Sequence, residues 1–558
     1  MSPSPSPKPA AKLPVMFLIS LLAACGPAAI PEVTSEDSTA PVTDTEPPED
    51  TEPPEDTEPP EDTEPPEDTE APLPESGPCD LSATAAAIHL WEGDSVRVTA
   101  RCENPDAGDW LIEPVAFSGS VVWDGESFAW LTGVEDGGRH ELSFTAQPAA
   151  GDRFPEAASV TVWVADNPDD PDNVRPDPTT YTEEWGLPVI HVEPFSGVSE
   201  SYVEARIHYG GVTYLAEIKI RGASSAGYPK KSYTLDFGKE NLDTQGWLPD
   251  KKDHLVLVTP FDDNSYVRQK LAYDVWAAMA DHWKVERLTP RTFFAVLYFD
   301  GVYHGLYTAA DHIDDEFLGE MGMNREGNLY KSVNHDADFR RKSNLHAGYE
   351  KKEGEPLSDF SDLDALVWFT GQADTAAFLA EADEWLQLDE FMDWLLFVHY
   401  TAADDSGGKN AYLYNDPTAE SAPEFRYTPW DFNHSFGQTW QTIRLSSNAN
   451  NDFTSVNAVF EHIQEDPKAS AELWSRLHEM MDAGGPLSPE WFEATLDDYY
   501  ALIDSSAARD WAAWGDDYEG YWSGVRGRCS DCLDYPGERA YVYDWLTERD
   551  GWMRTYHP

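Results

Sequence analysis

One segment constrains this chain more than any other: KNAYLYNDPTAESAPEFRYTPWDF, Lys409–Phe432. Two apolar runs, Ala411–Tyr414 and Phe425–Trp430, flank a stretch rich in Pro, Asp and Ser, a pattern that folds as an antiparallel hairpin. Antiparallel pairing returns the chain to its starting end. Asn410, before the first strand, and Asp431, after the second, are therefore brought together although 21 positions separate them. Asp431 stands alone between Trp430 and Phe432 in a segment poor in charge, and packing of those two rings fixes the direction of its carboxylate. Asp405 precedes Asn410 by five positions.

An Asp, an Asn five residues on, a hairpin and then Asp-Phe is the order in which protein kinases hold Mg²⁺·ATP. Phosphoryl transfer is mostly positioning and charge stabilisation, and hard oxygen donors on a rigid hairpin suit Mg²⁺ (or Mn²⁺). This reading makes Asp431 and Asn410 metal ligands and Asp405 the catalytic acid–base group, with the adjacent Asp404 as its rival. The same residues could instead cap a turn and end a strand. RGASSAGY, Arg221–Tyr228, adds a Gly/Ser-rich turn whose backbone N–H groups can face phosphates, with Arg221, Ser224 and Ser225 as nucleotide contacts. Lys230 and Lys231 open the next strand, where a kinase carries its phosphate-binding Lys. Alternation puts Lys231 on one face with Tyr233, Leu235 and Phe237, and Lys230 on the other; Lys231 is favoured. His434 either lines the cleft or serves as a hydrogen-bonded structural residue.

At 558 residues the chain exceeds one compact core, and 41% hydrophobic and 13% aromatic residues are ample for real ones. The balance of 103 acidic against 38 basic residues gives a formal charge of −65, which excludes a phosphate-backbone footprint and hence nucleic acid as partner. Residues 1–25 read as a lipoprotein signal peptide: Lys8 and Lys12, an apolar run from Leu13 to Ala24, then LAAC ending at Cys25. Such a Cys carries a lipid, which predicts a bacterial cell-envelope protein, extracytoplasmic and anchored at the outer membrane or cell surface. Residues 26–77 form a disordered Pro/Glu-rich stalk built on four copies of TEPPED at 45–68.

Short alternating runs over 78–166 predict a small all-β, immunoglobulin-like sandwich, pinned by Cys79–Cys102, with Trp123 as its core aromatic. CSDC, Cys529–Cys532, predicts a second local disulfide. Residues 167–181 read as an acidic linker; DNPDDPDN, Asp166–Asn173, has the oxygen density of a Ca²⁺ ligand set but nothing to fix its geometry. Over 182–558, strands come first and helices later, as in a two-lobed α+β domain. Helices are predicted over 265–282 and 386–402, and Asp300-Gly301 marks a two-residue hairpin turn.

IKIRGASSAGYPKKSYTLDF, DDNSYVRQKLAYDV, GVYHGLYTAADHIDDEFL, GNLYKS and KNAYLYND…YTPWDFNHSFG occur in the order found in the CotH family. From about Thr182 to the carboxyl end the chain resembles these atypical, protein-kinase-like enzymes, named after a bacterial spore-coat protein. The resemblance implies an ATP-dependent protein kinase acting on Ser/Thr of secreted or surface proteins, with Asp405 in the catalytic and Asp431 in the metal position. It adds Arg268 as a phosphate or carboxylate contact, and Asp311 where the family usually has Glu. Gly407 stands where a conventional kinase places a Lys, and Lys409 is the nearby substitute. A non-catalytic scaffold with a pseudokinase domain, or AMP transfer or glutamylation on the same fold, are the alternatives.

Overall fold

The computed structural model describes residues 78–556 except 105–108, 116–121, 126, 150–153, 170–174, 250, 420–423 and 527–532. The signal peptide with Cys25, the stalk, Cys529–Cys532 and the centre of the acidic linker therefore lie outside the described residues. Among the described residues no helix is long and apolar enough to cross a membrane.

The first folded part is a sandwich of two four-stranded sheets. Its core comes from alternate positions: Val98 and Ala100 on one strand, Leu142 and Phe144 on another, and Val160, Val162 and Val164 on the last. Cys79 and Cys102 are disulfide-bonded. Trp130, not Trp123, is the fully buried indole; Trp123 packs edge-on to Phe128 and Phe144 at the margin of the core. The strand Ala87–Trp91 pairs in parallel with Glu156–Ala165, so the sheets are not purely antiparallel.

The sandwich is docked. Trp185 meets Trp91 edge-on at 4.8 Å between ring centroids and donates from Nε1 to Leu90 O. Arg509 lies over Trp91 while donating to Glu184 Oε2 at 2.7 Å and to Asp166 O at 2.8 Å. A buried guanidinium satisfied on several sides is costly to separate, so the linker joins two packed bodies.

Seven strands then close into a barrel: β1 Leu187–Pro194, β2 Val203–Tyr209, β3 Val212–Arg221, β4 Ser232–Asp236, β5 His254–Val258, β6 Thr292–Phe299 and β7 Val302–Asp311. The order β2-β3-β4-β5-β7-β6-β1 closes because β1 also pairs with β2. All pairings are antiparallel except β1 with β6. Ile190, Val192, Ile207, Ile218, Leu235, Leu257, Phe293 and Tyr307 fill the interior, and Asp300-Gly301, both at positive φ, makes the turn between β6 and β7.

Residues facing outward, such as Val256, Phe294, Val296 and Ala310, join the main core with helix α1, Arg268–Trp283. A six-residue helix α2, Asp315–Glu320, leads from β7 to a second sheet: β8 Asn328–Ser332, β9 Tyr349–Glu353, β10 Ala411–Asn415 and β11 Arg426–Pro429, in the order β9-β8-β10-β11. In the hairpin of β10 and β11, Ala411 lies opposite Pro429. Helix α3, Leu388–Thr401, is buried along most of its length, and the long helices α4, Pro489–Arg526, and α5, Tyr535–Tyr556, complete a mixed α+β body.

Candidate functional site

Where the barrel rim meets the small sheet, a cleft of about 550 Å³ opens. The turn after β3 contributes Arg221, Ser224 and Ser225; the end of β8 contributes Lys331; the loop after α3 contributes Asp405, Lys409 and Asn410; the end of β11 contributes Trp430, Asp431 and His434. The hairpin does what its sequence requires. Trp430 N–H donates to Asn410 O at 3.1 Å and Asn410 N–H to Ser332 O at 3.2 Å, so the mouths of three strands are tied together.

Asn410 and Asp431 both adopt the left-handed conformation, with φ of 57° and 62°. Short polar side chains tolerate this region best. Asp431 is exposed to the cleft while its neighbours are buried: Trp430 packs on Tyr273 and Tyr412, and Phe432 stacks on Phe397 at 4.6 Å. Asp431 N–H donates to Tyr273 Oη at 3.2 Å. The carboxylate thus projects from a rigid support.

Asp405 faces Lys409 Nζ at 2.7 Å and His335 Nε2 at 3.5 Å. Lys409, the expected substitute for a Lys at position 407, therefore stands beside Asp405. The adjacent Gly408 is required by close approach, because a Cβ there would lie 2.6 Å from Ala337 O and 2.9 Å from Val456 O. Asp404 faces a neighbouring hollow with His335, Thr439 and Trp440, and accepts from Asn451 Nδ2 at 2.7 Å.

Four of the residues expected at the nucleotide lie elsewhere. Lys230 is fully buried, donates to Leu306 O at 2.8 Å and pairs with Asp510 of α4. Lys231 donates back to Ala226 O at 2.8 Å, bracing the Gly/Ser-rich turn from behind. Arg268 is fully buried between Asp263, at 2.6 Å, and Glu538, at 2.6 Å, where it fastens α1 to α5. Asp311 is buried against Arg291 at 2.7 Å and Lys252 at 2.9 Å. Each has carboxylate, ammonium or carbonyl partners inside the protein, which leaves none of them lining the cleft.

Sequence reading overlooked Lys331. It lies in GNLYKS, opposite Tyr412 in the β8–β10 register, with its ammonium over the Tyr412 and Trp430 rings at 5.6 and 5.8 Å. Burial, reinforced by Arg221, lowers its pKa to about 8 against the pull of Asp431. Arg221 itself lies over Trp430 at 4.9 Å. Arg221 and Lys331 thus face one cleft that Asp262, Asp405, Asp431 and Glu350 also line. The sequence signal was charge: in β8, Asn-Leu-Tyr-Lys-Ser, Lys331 is the one charged residue, next to the strand end that Asn410 N–H caps through Ser332 O.

His434 is largely but not fully buried, 2.9 Å from Asp262 Oδ2. Burial alone would lower its pKa, but the bond to Asp262 and the charges of Asp431 and Asp405 raise it. The imidazole serves as a hydrogen-bonded wall of the cleft.

The profile of the family described as CotH kinase protein matches residues 218–553, more than half of the chain. A relative, the inner spore coat protein H of Bacillus subtilis (strain 168), is 24% identical over 239 residues, covering 41% of this chain and 61% of its own length. The match thus spans about three-fifths of that relative. Among solved structures, an endo-fucoidan hydrolase of glycoside hydrolase family 107, MfFcnA4, overlaps 28% of this chain and 26% of its own at 10% identity and a TM-score of 0.13, too slight a likeness to bear on fold or function.

Proposed function

We propose, from the premise that the chain belongs to the CotH kinase protein family, that it is an ATP-dependent protein kinase transferring the γ-phosphate to Ser/Thr hydroxyls of secreted or surface proteins. The supporting observation is convergence: Asp405, Asn410 and Asp431 line one cleft with Arg221, Ser224, Ser225 and Lys331.

Asp431 and Asn410 offer the hard oxygen donors that fit Mg²⁺ or Mn²⁺, which when bound neutralises phosphate charge. Arg221, Lys331 and the turn at Ser224–Ser225 receive the phosphates, and Trp430 provides an apolar wall. Asp405, oriented by Lys409, accepts the proton of the attacking hydroxyl as its oxygen bonds to the γ-phosphorus and the bridge to ADP breaks. The two-lobed, kinase-like reading of the fold belongs to this proposal, with the barrel as one lobe and the α3–α5 half as the other. So does a place at the bacterial surface: the spore-coat name of the relative, together with the leader and Cys25, supports a lipid-anchored protein that holds the kinase off the membrane on its stalk, with the immunoglobulin-like sandwich as a docked spacer.

The test is metal-dependent ATP binding by calorimetry combined with intact-mass analysis of a protein acceptor. Asp431→Ala is expected to abolish binding and transfer; Asp405→Asn is expected to keep binding within a few fold while lowering transfer by about 10²-fold or more. Absence of ATP binding by the wild type would leave a scaffold, and an adenylate or glutamate on the product instead of a phosphate would change the reaction class.

A further inference from the structure

A second constellation sits on the barrel rim and shares no lining residue with the cleft. Strand β5 pairs antiparallel with β7, Leu255 opposite Asp311. Continuing that register by one residue puts His254 opposite His312, and their rings stack at 4.9 Å between centroids. Asp314 follows as the N-cap of α2. Its Oδ1 accepts from Phe317 N–H at 3.1 Å, which leaves Oδ2 aimed at both imidazoles, 2.7 Å from His312 Nδ1 and 3.7 Å from His254 Nδ1.

We propose that His254, His312 and Asp314 bind one divalent transition-metal ion of the zinc class. One donor atom from each lies within 4.8 Å of the other two. Zinc–nitrogen bonds of about 2.0 Å in a tetrahedron separate ligands by about 3.3 Å, so small side-chain adjustments close the set. Imidazole nitrogens with one carboxylate favour such ions over Mg²⁺, which selects oxygen.

Further features point to a ligand. His254 Nδ1 is buried without a well-aligned hydrogen bond, although Asp253 Oδ2 is 3.0 Å away. Its Nε2 is 3.4 Å from Asp236 Oδ2, the outer carboxylate that orients a metal-binding imidazole. The nearby ammonium of Lys252 is engaged by Asp311 and Glu320. The hollow at the site, about 10 Å³, has room for one ion or water. A metal here would clamp β5 to the β7–α2 connection, the passage from the barrel to the sheet that carries Lys331.

Because the protein is so acidic, weak cation binding is expected everywhere, and the assay must separate nitrogen ligation from that background. The full chain is stripped with chelator and titrated with Co²⁺. An intense visible absorption of a low-coordinate site, saturating at one equivalent, displaced by Zn²⁺ but not Mg²⁺ and accompanied by a higher Tm, is the expected result. His312→Ala and His254→Gln should each remove the band, whereas Asp431→Ala should retain it. Native mass spectrometry of the wild type with Zn²⁺ counts the ion without recourse to a variant. A weak octahedral spectrum only, no ion retained in that count, or a band that survives in both histidine variants overturns the site.

Discussion

Lys331 yields two effects of opposite sign. Its pKa in the folded protein is lowered from 10.5 to about 8, chiefly by burial and further by Arg221. That difference corresponds to about 3 kcal/mol, an upper bound on what the charged ammonium costs the unliganded fold. The unfolded chain holds the extra proton between about pH 8 and 10.5, so the cost is fully present below pH 8 and disappears as pH rises through that window. Lys331→Met keeps the apolar stem and removes the charge. At pH 7 it should stabilise the free protein, by up to about 3 kcal/mol, while weakening ATP binding. Phosphates bound beside Lys331 restore its proton. Wild-type affinity should therefore fall by up to about tenfold per pH unit above pH 8, with about half a proton taken up per ATP at pH 8. Calorimetry in buffers of differing ionisation enthalpy measures that uptake, and denaturant unfolding measures the stability. If Lys331→Met binds ATP with the affinity and pH profile of the wild type, Lys331 does not meet the phosphates. If the variant is instead destabilised, the ammonium is not held at a cost.

The remaining predictions concern the supports of the cleft. Glu538→Gln leaves Arg268 with one carboxylate fewer at full burial and should lower unfolding free energy by about 3–5 kcal/mol, read by denaturant titration; an unchanged midpoint would mean that the pair is not a fastener. Arg268→Met alone should cost a comparable amount, because it leaves the buried Asp263 carboxylate without its cation. For the His434–Asp262 pair, the raised His434 pKa stabilises fully below pH 6.5 and is lost as pH rises through its folded value, whereas the lowered Asp262 pKa, which burial opposes and His434 enforces, stabilises above 3.8 and is lost as pH falls through its folded value. Asp262→Asn should therefore remove this pair's share of the stability lost as pH rises above 6.5 and as it falls below 3.8, measured by Tm against pH.

What the sequence determined by itself was local and periodic. Alternation and turn chemistry gave the β10–β11 hairpin with its juxtaposed Asn410 and Asp431, the Asp300-Gly301 turn, the position of α1 to within a few residues, and the Cys79–Cys102 bond. Those features follow from a period of two, from residues that accept positive φ, or from short separations, and each is written in contiguous residues. Tertiary structure alone decided which charges are free. Lys230, Lys231, Arg268 and Asp311 looked like cleft residues by motif position, yet Asp510, Ala226, Glu538 and Arg291, three of them distant in sequence, take up their polar atoms. Lys331 looked ordinary until the fold buried it beside Arg221 and opposite Asp431. The barrel, likewise, closes only because β1 meets both β2 and β6. Long-range pairing and desolvation are properties of the folded ensemble of residues, and no stretch of the chain states them in advance.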